Sequence, residues 1–265
     1  MGVASHTKQD KQLPPIGSQS CGVLEQPHIF LDEVMRQALD SDIIRISMDV
    51  RNGKKLEPYN GKDVKIVKKK DLVDGMFSWA DIILCGRNNT RQLINNQVRQ
   101  MKGFKQEPQV GDKIICCQNY WDIVNGFENP LINGMIGTIE NIKLGVDNGV
   151  LGRDMTIDFL PEFLDKFNTR EEGLFKNKRI DYKFLTTGNP TYTKDAKPTY
   201  KRGKKIHNPL LFEYGYAITS WRAQGSQWNK VLFIPERFKS MSNDDYTKFC
   251  YTSITRAAKK LVIII

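Results

Sequence analysis

Two stretches near the end of the chain hold the residues whose types and spacing best suit chemistry. Residues 216–228 read Tyr-Ala-Ile-Thr-Ser-Trp-Arg-Ala-Gln-Gly-Ser-Gln-Trp, and residues 251–263 read Tyr-Thr-Ser-Ile-Thr-Arg-Ala-Ala-Lys-Lys-Leu-Val-Ile. Each has an apolar element, then Thr, Gln, Ser or Arg at a turn, then another apolar element. In α/β proteins such strand and helix ends are where ligands are held. Arg256 stands just after an apolar element, and so does Arg36 within residues 29–37. An arginine stays ionised and offers a fixed fork of donors, which suits a phosphoryl group. Thr219, Gln224, Gly225 and Ser226 suit another task. Hydroxyls, amides and free N–H groups contact a nucleic-acid backbone without reading its sequence, and glycine lets the main chain come close. Arg222 adds charge. Trp221 has two readings: it packs into the core, or it stacks on a base, worth about 1–3 kcal/mol. Arg87 and Asn88, after the apolar run ending at Cys85-Gly86, are further candidates for the same contact.

The elements that must position these groups follow from patterning. Residues 80–86, Ala-Asp-Ile-Ile-Leu-Cys-Gly, read as a buried strand. Residues 87–99 read as a helix with Leu93, Ile94 and Val98 on one side. Strand, turn and helix make half of an α/β layer. Residues 216–218 and 231–234 are strands around a short helical turn at 220–224. The last helix starts at Ser242, with Asp245 three residues on as a capping box, and presents Tyr246, Phe249, Cys250 and Ile254. Residues 261–265 close as a strand. Upstream, 41–50 is helical and stops at Arg51-Asn52-Gly53. The lysine-rich 61–70, with Val64 and Ile66 alternating, reads as an exposed sheet edge.

The texture changes at Pro108. Residues 110–118, 131–139 and 155–159 read as short strands, and Asn133-Gly134 and Asn148-Gly149 as tight turns. That is the signature of a small β-barrel. Residues 174–209 are polar and basic, with Lys194, Lys197, Lys201, Arg202, Lys204 and Lys205 near Tyr192 and Tyr200. They read either as a solvated linker or as an arm on a nucleic-acid backbone.

Lys and Arg total 40 against 30 Asp and Glu, giving a net charge of +10, which favours polyanion partners. No apolar run approaches the ~18 residues of a spanning helix, so no membrane partner is expected. The five cysteines are odd in number and show no Cys-x-x-Cys spacing, and the three histidines are scattered. Buried reduced thiols, rather than a disulfide framework or a zinc site, are the expectation, so no metal ligands are assigned.

The two C-terminal stretches resemble motifs V and VI of superfamily 1 helicases, roughly Tyr-Ala-x-Thr-x-His-Lys-x-Gln-Gly-Ser and Tyr-Thr-x-x-Thr-Arg-Ala. Thr219, Gln224, Gly225 and Ser226 match the first; Thr252, Thr255, Arg256 and Ala257 match the second. Trp221 stands where His is usual, and Gln227 where Glu is usual. Residues 10–17, Asp-Lys-Gln-Leu-Pro-Pro-Ile-Gly, resemble motif III, with Lys8-Gln9 in place of its Gly-Asp; from physics alone the proline pair reads as a linker. The order Leu31-x-Glu33-Val34-x-Arg36-Gln37 resembles motif IV. The barrel corresponds to the SH3-like insertion of RecD-like and Dda-like enzymes, and the phrasing is most like phage or prophage versions.

The resemblance implies an α/β fold: a RecA-like, P-loop-NTPase-type second motor domain interrupted by a small SH3-like β-barrel. It divides the chain into a motif III remnant at 1–20, a first RecA-like part at 21–106, the barrel at 107–190, a basic linker at 191–210 and a second RecA-like part at 211–265. It implies that Arg36 and Arg256 act on the γ-phosphate of ATP, that Gln12 senses it and that Gln227 faces the ribose. It implies single-stranded DNA as partner, 5′ to 3′ movement, a monomeric motor, and a bacterial or phage-infected cytoplasm. No Gly-x-x-x-x-Gly-Lys-Ser/Thr occurs, and no acidic pair resembles Walker B. The cradle for ATP and Mg²⁺ would therefore come from an N-terminal RecA-like half, supplied in trans or in a longer parent. The other class of function is a nucleic-acid-binding or interaction protein without catalysis.

Overall fold

The computed structural model describes residues 41–147, 150–162, 170–191, 199–201, 204–206 and 208–265. These divide into two units, one from residues 41–91 and 217–265, the other from residues 92–216. The second is thus an insertion in the chain of the first.

The first unit holds a six-stranded sheet. Its strands are β1 (Tyr59–Asn60), β2 (Val64–Val67), β3 (Ile82–Cys85), β13 (Ala217–Thr219), β14 (Trp228–Phe233) and β15 (Ala257–Ile264), in the order β1-β2-β15-β14-β3-β13. All neighbours are parallel except β1 and β2. Parallel strands need both faces covered. The sequence obliges: every residue of β3 is buried, and β14 ends in buried Val231, Leu232 and Phe233. Helix α1 (Asp42–Arg51) is capped by Ser41, whose hydroxyl accepts from the Ile43 N–H. Helix α2 (Asp74–Trp79) leads into β3, and helix α3 (Asn88–Met101) leaves it.

Two expectations need correction here. The lysine-rich strand β2 is not the sheet edge, because the two-residue β1 pairs outside it through Tyr59–Ile66 and Asn60–Lys65. Nor does Leu93 share the buried face of α3. It is 70 % exposed, whereas Ile94, Asn95, Val98 and Arg99 are buried. One residue is a rotation of about 100° on a helix, enough to take Leu93 off that face.

The inserted unit is antiparallel. Strands β4 (Lys113–Cys116), β7 (Ile136–Asp147), β8 (Val150–Pro161), β9 (Phe175–Asp181) and β12 (Phe212–Tyr214) lie in the order β12-β4-β7-β8-β9. The sheet turns back on itself. Ile180 of β9 bridges to Leu210, two residues before β12, through Asp181 N–H to Leu210 O at 3.0 Å and Leu210 N–H to Arg179 O at 2.8 Å. Phe159 packs on Phe175 and Phe212 inside it, with ring centroids 6.1 and 5.0 Å away. Hairpins β5 (Tyr120–Val124)–β6 (Pro130–Leu131) and β10 (Thr199–Lys201)–β11 (Lys204–Ile206) complete the strands, and α4 (Tyr182–Thr187) follows β9. Regular structure therefore reaches into the polar stretch 174–209. Strand β12 belongs to this sheet although its sequence lies in the segment expected to resume the RecA-like domain.

A buried ion pair anchors the unit. Arg99 donates to both carboxylate oxygens of Asp112, at 2.8 and 3.0 Å, and to the carbonyls of Gln106 and Glu107. Asp112 also accepts from the Tyr216 hydroxyl at 3.1 Å and the Gln109 N–H at 2.8 Å. With so many donors on one carboxylate, the charges are compensated in place. Burial pushes the Tyr214 and Tyr216 phenols well above their usual range.

Candidate functional site

All five strands β2, β15, β14, β3 and β13 run the same way, so the sheet has one carboxyl edge and one amino edge. The turn at 220–227 runs between them. It leaves the carboxyl edge at Thr219, which pairs with Cys85, and enters β14 at the amino edge at Trp228.

At the carboxyl edge the turn is fastened from below. Ser220 N–H donates to Cys85 O at 3.0 Å, and the buried Ser253 hydroxyl on α5 (Asn243–Ile254) donates to Ser220 Oγ at 2.7 Å. Arg222 and Ala223 N–H groups both turn back to Thr219 O. Thr219 is thereby held at a strand end with its side chain half-buried. Burial pushes the neighbouring Cys85 thiol up to about 12, so it stays protonated at neutral pH.

Beside it, α3 begins. Glu236, just beyond β14, accepts from the N–H groups of Gly86 and Arg87 at 2.9 and 2.8 Å and from the Thr90 hydroxyl at 2.6 Å. A carboxylate here satisfies helix-end donors and complements the helix dipole. The Arg87 side chain stays exposed. It donates to Arg237 O at 3.2 Å and lies 5.3 Å from the Phe238 ring centroid. Asn88 is exposed next to it.

Trp221 joins these groups. Its ring packs 5.7 Å from Phe238 and 5.3 Å from Phe249, and Phe249 in turn meets Phe233 and Tyr246. Trp221 is half-buried. The packing reading therefore holds for the portion of the ring in the aromatic cluster, while another portion reaches the surface.

The amino edge is different. Gly225 has φ +85°, with nothing within 4 Å of the place a Cβ would take, so backbone conformation rather than space demands glycine. The chain then passes Ser226 and the exposed Gln227 into β14. Arg256, at the end of α5, is only 9 % exposed. Its guanidinium donates to Thr252 O at 3.0 Å, Ser226 O at 3.1 Å and Thr255 Oγ1 at 3.2 Å, and its own carbonyl accepts from Trp228 N–H at 3.0 Å. Arg256, Ser226 and Gln227 thus share one edge, and Thr219, Trp221, Arg87 and Asn88 share the opposite one. Arg222 and Gln224 lie in the turn between.

Gln12 and Arg36, with the segments resembling motifs III and IV, fall outside the described residues. Among the described residues no group of three or more His, Cys, Asp or Glu could hold a metal ion, and no helix is long and apolar enough to cross a membrane. Sequence reasoning missed Glu236 and Ser253. Glu236 follows a strand at the carboxyl edge, and Ser253 sits in the Thr252–Thr255 run; position relative to the strand ends was the only available signal.

Residues 214–264 match the UvrD-like helicase C-terminal domain, a stretch that contains both edges of the turn and Arg256. Among solved structures the chain is similar to the Pif1 helicase of Candida albicans, at 13 % identity and a TM-score of 0.47, over 88 % of this chain and 55 % of that one. It is also similar to the Bacteroides Pif1 helicase in complex with ADP-AlF3 and ssDNA, at 12 % identity and a TM-score of 0.46, over 87 % and 50 %. The Bacteroides Pif1 bound to ssDNA gives 12 % and 0.44 over the same shares. The chain spans about half the length of these structures. No curated protein matches it.

Proposed function

We propose that this chain is the C-terminal motor half of an ATP-dependent superfamily 1 DNA helicase. The observation that carries the reading is the arrangement within the stretch matching the UvrD-like helicase C-terminal domain. One turn separates a hydroxyl and an aromatic ring at the carboxyl edge from a carbonyl-held arginine at the amino edge, and Arg87, from outside that stretch, joins the carboxyl edge. The carboxyl edge suits a backbone grip, because its donors are partly open and do not read base edges. The amino edge suits a nucleotide, because Arg256 is oriented in advance and an arginine stabilises charge on a transferring phosphoryl group.

ATP with Mg²⁺ would be met here by Arg256 on the phosphate side and Gln227 on the ribose side, with Arg36 and Gln12 joining them. The cradle for the phosphates and the metal would come from an N-terminal RecA-like half. In this reading the antiparallel unit is an SH3-like insertion, the subtype is RecD-like or Dda-like of phage kind, movement is 5′ to 3′ on single-stranded DNA, and the motor is monomeric in a bacterial or phage-infected cytoplasm. Trp221, in place of the usual His and partly committed to Phe238 and Phe249, supports a second reading: a nucleic-acid-binding protein without catalysis.

The test is ATP hydrolysis with and without excess single-stranded DNA, for the chain alone and combined with an N-terminal half carrying the phosphate loop. The expectation is no turnover alone and DNA-stimulated turnover in the combination. DNA binding without turnover in either case selects the second reading, and absence of both sinks the motor proposal.

A further inference from the structure

The first unit has a groove that the candidate site does not use. Tyr59, Asn60, Lys65, Lys68, Lys70 and one acidic residue, Asp71, are among the groups that line it beside β1 and β2, around an open cavity of about 460 Å³. The three lysines are exposed, and among the described residues none of them makes an ion pair. One other lysine of this corner, Lys260, is committed. It donates to Lys62 O at 2.7 Å and to Asp63 at 3.1 Å, closing β15 against the turn before β2.

One lining side chain, Tyr59, is fixed. The Tyr59 hydroxyl donates to Asp42 at 2.7 Å, Asp42 also accepts from Asp63 N–H at 3.1 Å, and Arg45 lies 4.8 Å from the Tyr59 ring centroid. Gly61 permits this: a Cβ there would stand 2.3 Å from an Asp42 oxygen and 2.4 Å from the Tyr59 ring. One side of the groove, at Tyr59, is therefore held in place beside the exposed lysines. Lysine, moreover, is a flexible point charge suited to phosphates that need not be read in detail.

Position decides what the groove is for. Lys68 and Lys70 follow the end of β2, so they stand at the same carboxyl edge as Thr219, Trp221 and Arg87. Strands β2 and β13 are four spacings apart, about 19 Å at ~4.8 Å each. We propose that Lys65, Lys68 and Lys70 bind backbone phosphates of a single-stranded nucleic acid, extending along the carboxyl edge the track that begins at β13. This rests on the carboxyl edge being the nucleic-acid face.

Fluorescence anisotropy of a labelled oligo(dT) across a salt series tests it. Each phosphate released from a single strand is worth about 0.7 in the log–log slope. The triple variant Lys65→Gln/Lys68→Gln/Lys70→Gln should therefore flatten the slope by about 2 and weaken low-salt binding at least tenfold. A charge-matched control, Lys105→Gln/Lys176→Gln/Lys183→Gln in the other unit, should leave the slope within about 0.5 of wild type. The triple Lys→Arg variant at the groove should bind as wild type does, and circular dichroism of all variants checks the fold. Equal losses in the groove and control variants mean bulk charge only and overturn the proposal, as does an unchanged groove variant; both leave the helicase reading standing. Wild-type protein that binds no oligonucleotide at low salt overturns that reading first. Poly-glutamate that binds wild type but not the groove variant, with oligonucleotide binding unchanged, assigns the groove to an acidic protein instead.

Discussion

The two ends of the 220–227 turn solve opposite problems with similar residues. At the amino edge an arginine is nearly buried and tied to two backbone carbonyls and a hydroxyl. At the carboxyl edge another, Arg87, is half exposed, with one carbonyl partner and an ion pair stretched to 4.0 Å. Fixing a side chain in advance removes the entropy it would lose on meeting a ligand. Leaving it loose lets it follow a polymer that moves past. On the proposed reading, the stiff arginine would meet a small ligand of fixed geometry and the loose one a backbone of variable path.

The largest test of that contrast is kinetic. In a combination with a phosphate-loop half, Arg256→Lys should lower turnover by about 10³, because an ammonium keeps the charge but loses the fork. Thr219→Ala should leave basal hydrolysis within about threefold and reduce only its stimulation by DNA. Steady-state rates across a DNA titration separate the two. Equal effects from both would dissolve the distinction between the edges.

The next test concerns folding. Trp221→Ala removes a ring from the cluster with Phe238 and Phe249 and should cost about 2–3 kcal/mol, somewhat less than for a fully buried tryptophan. Trp221→Phe should recover most of it. Arg256→Ala leaves Thr252 O and Ser226 O without that donor, at about 1–3 kcal/mol. Arg87→Ala should change stability by under about 0.5 kcal/mol, since exposed pairs contribute little. Urea melts rank the four, and an Arg87 variant as costly as Arg256→Ala would contradict the picture of a loose edge.

The smallest effect depends on pH. The donated Tyr59 hydroxyl, with Asp63 N–H and Arg45 assisting, holds the Asp42 carboxyl down to about 2. A depressed carboxylate stabilises above its unfolded value, near ~3.9, and that stability fades as pH falls through about 2. The melting difference between wild type and Asp42→Asn should accordingly be full at neutral pH and shrink between about pH 4 and 2. A difference that grows on acidification would refute the assignment.

Much of this was legible in residue order. Helix α5 starts at Ser242, with Asp245 N–H donating to the capping hydroxyl at 3.0 Å, because that box is a local signal. Strand β3 was legible because a run buried on both faces has no polar alternation to hide it. Long-range pairing was not. Nothing local in Phe212-Glu213-Tyr214 says that it pairs with Ile114–Cys116 rather than resuming the parallel sheet. Nothing local in Pro235-Glu236-Arg237 says that its carboxylate will sit on the start of α3. Lys65 and its neighbours looked like an edge because their own alternation is that of an edge; the two-residue strand outside them is too short to leave a pattern.

The insertion also bears on the entropy of closing the parallel sheet. Ser220 and Cys85, joined at the end of adjacent parallel strands, are 135 residues apart in sequence. Closing so long a loop as open chain costs about 4 kcal/mol of entropy by the usual scaling. Yet the inserted unit brings its own extremities together: Asn95 Nδ2 donates to Tyr214 O at 3.0 Å, across 119 residues. Once that unit has folded, β3 and β13 are separated by a short tether rather than a long coil. Asn95→Ala should therefore slow the formation of a sheet in which it takes no part, and refolding kinetics would read the effect.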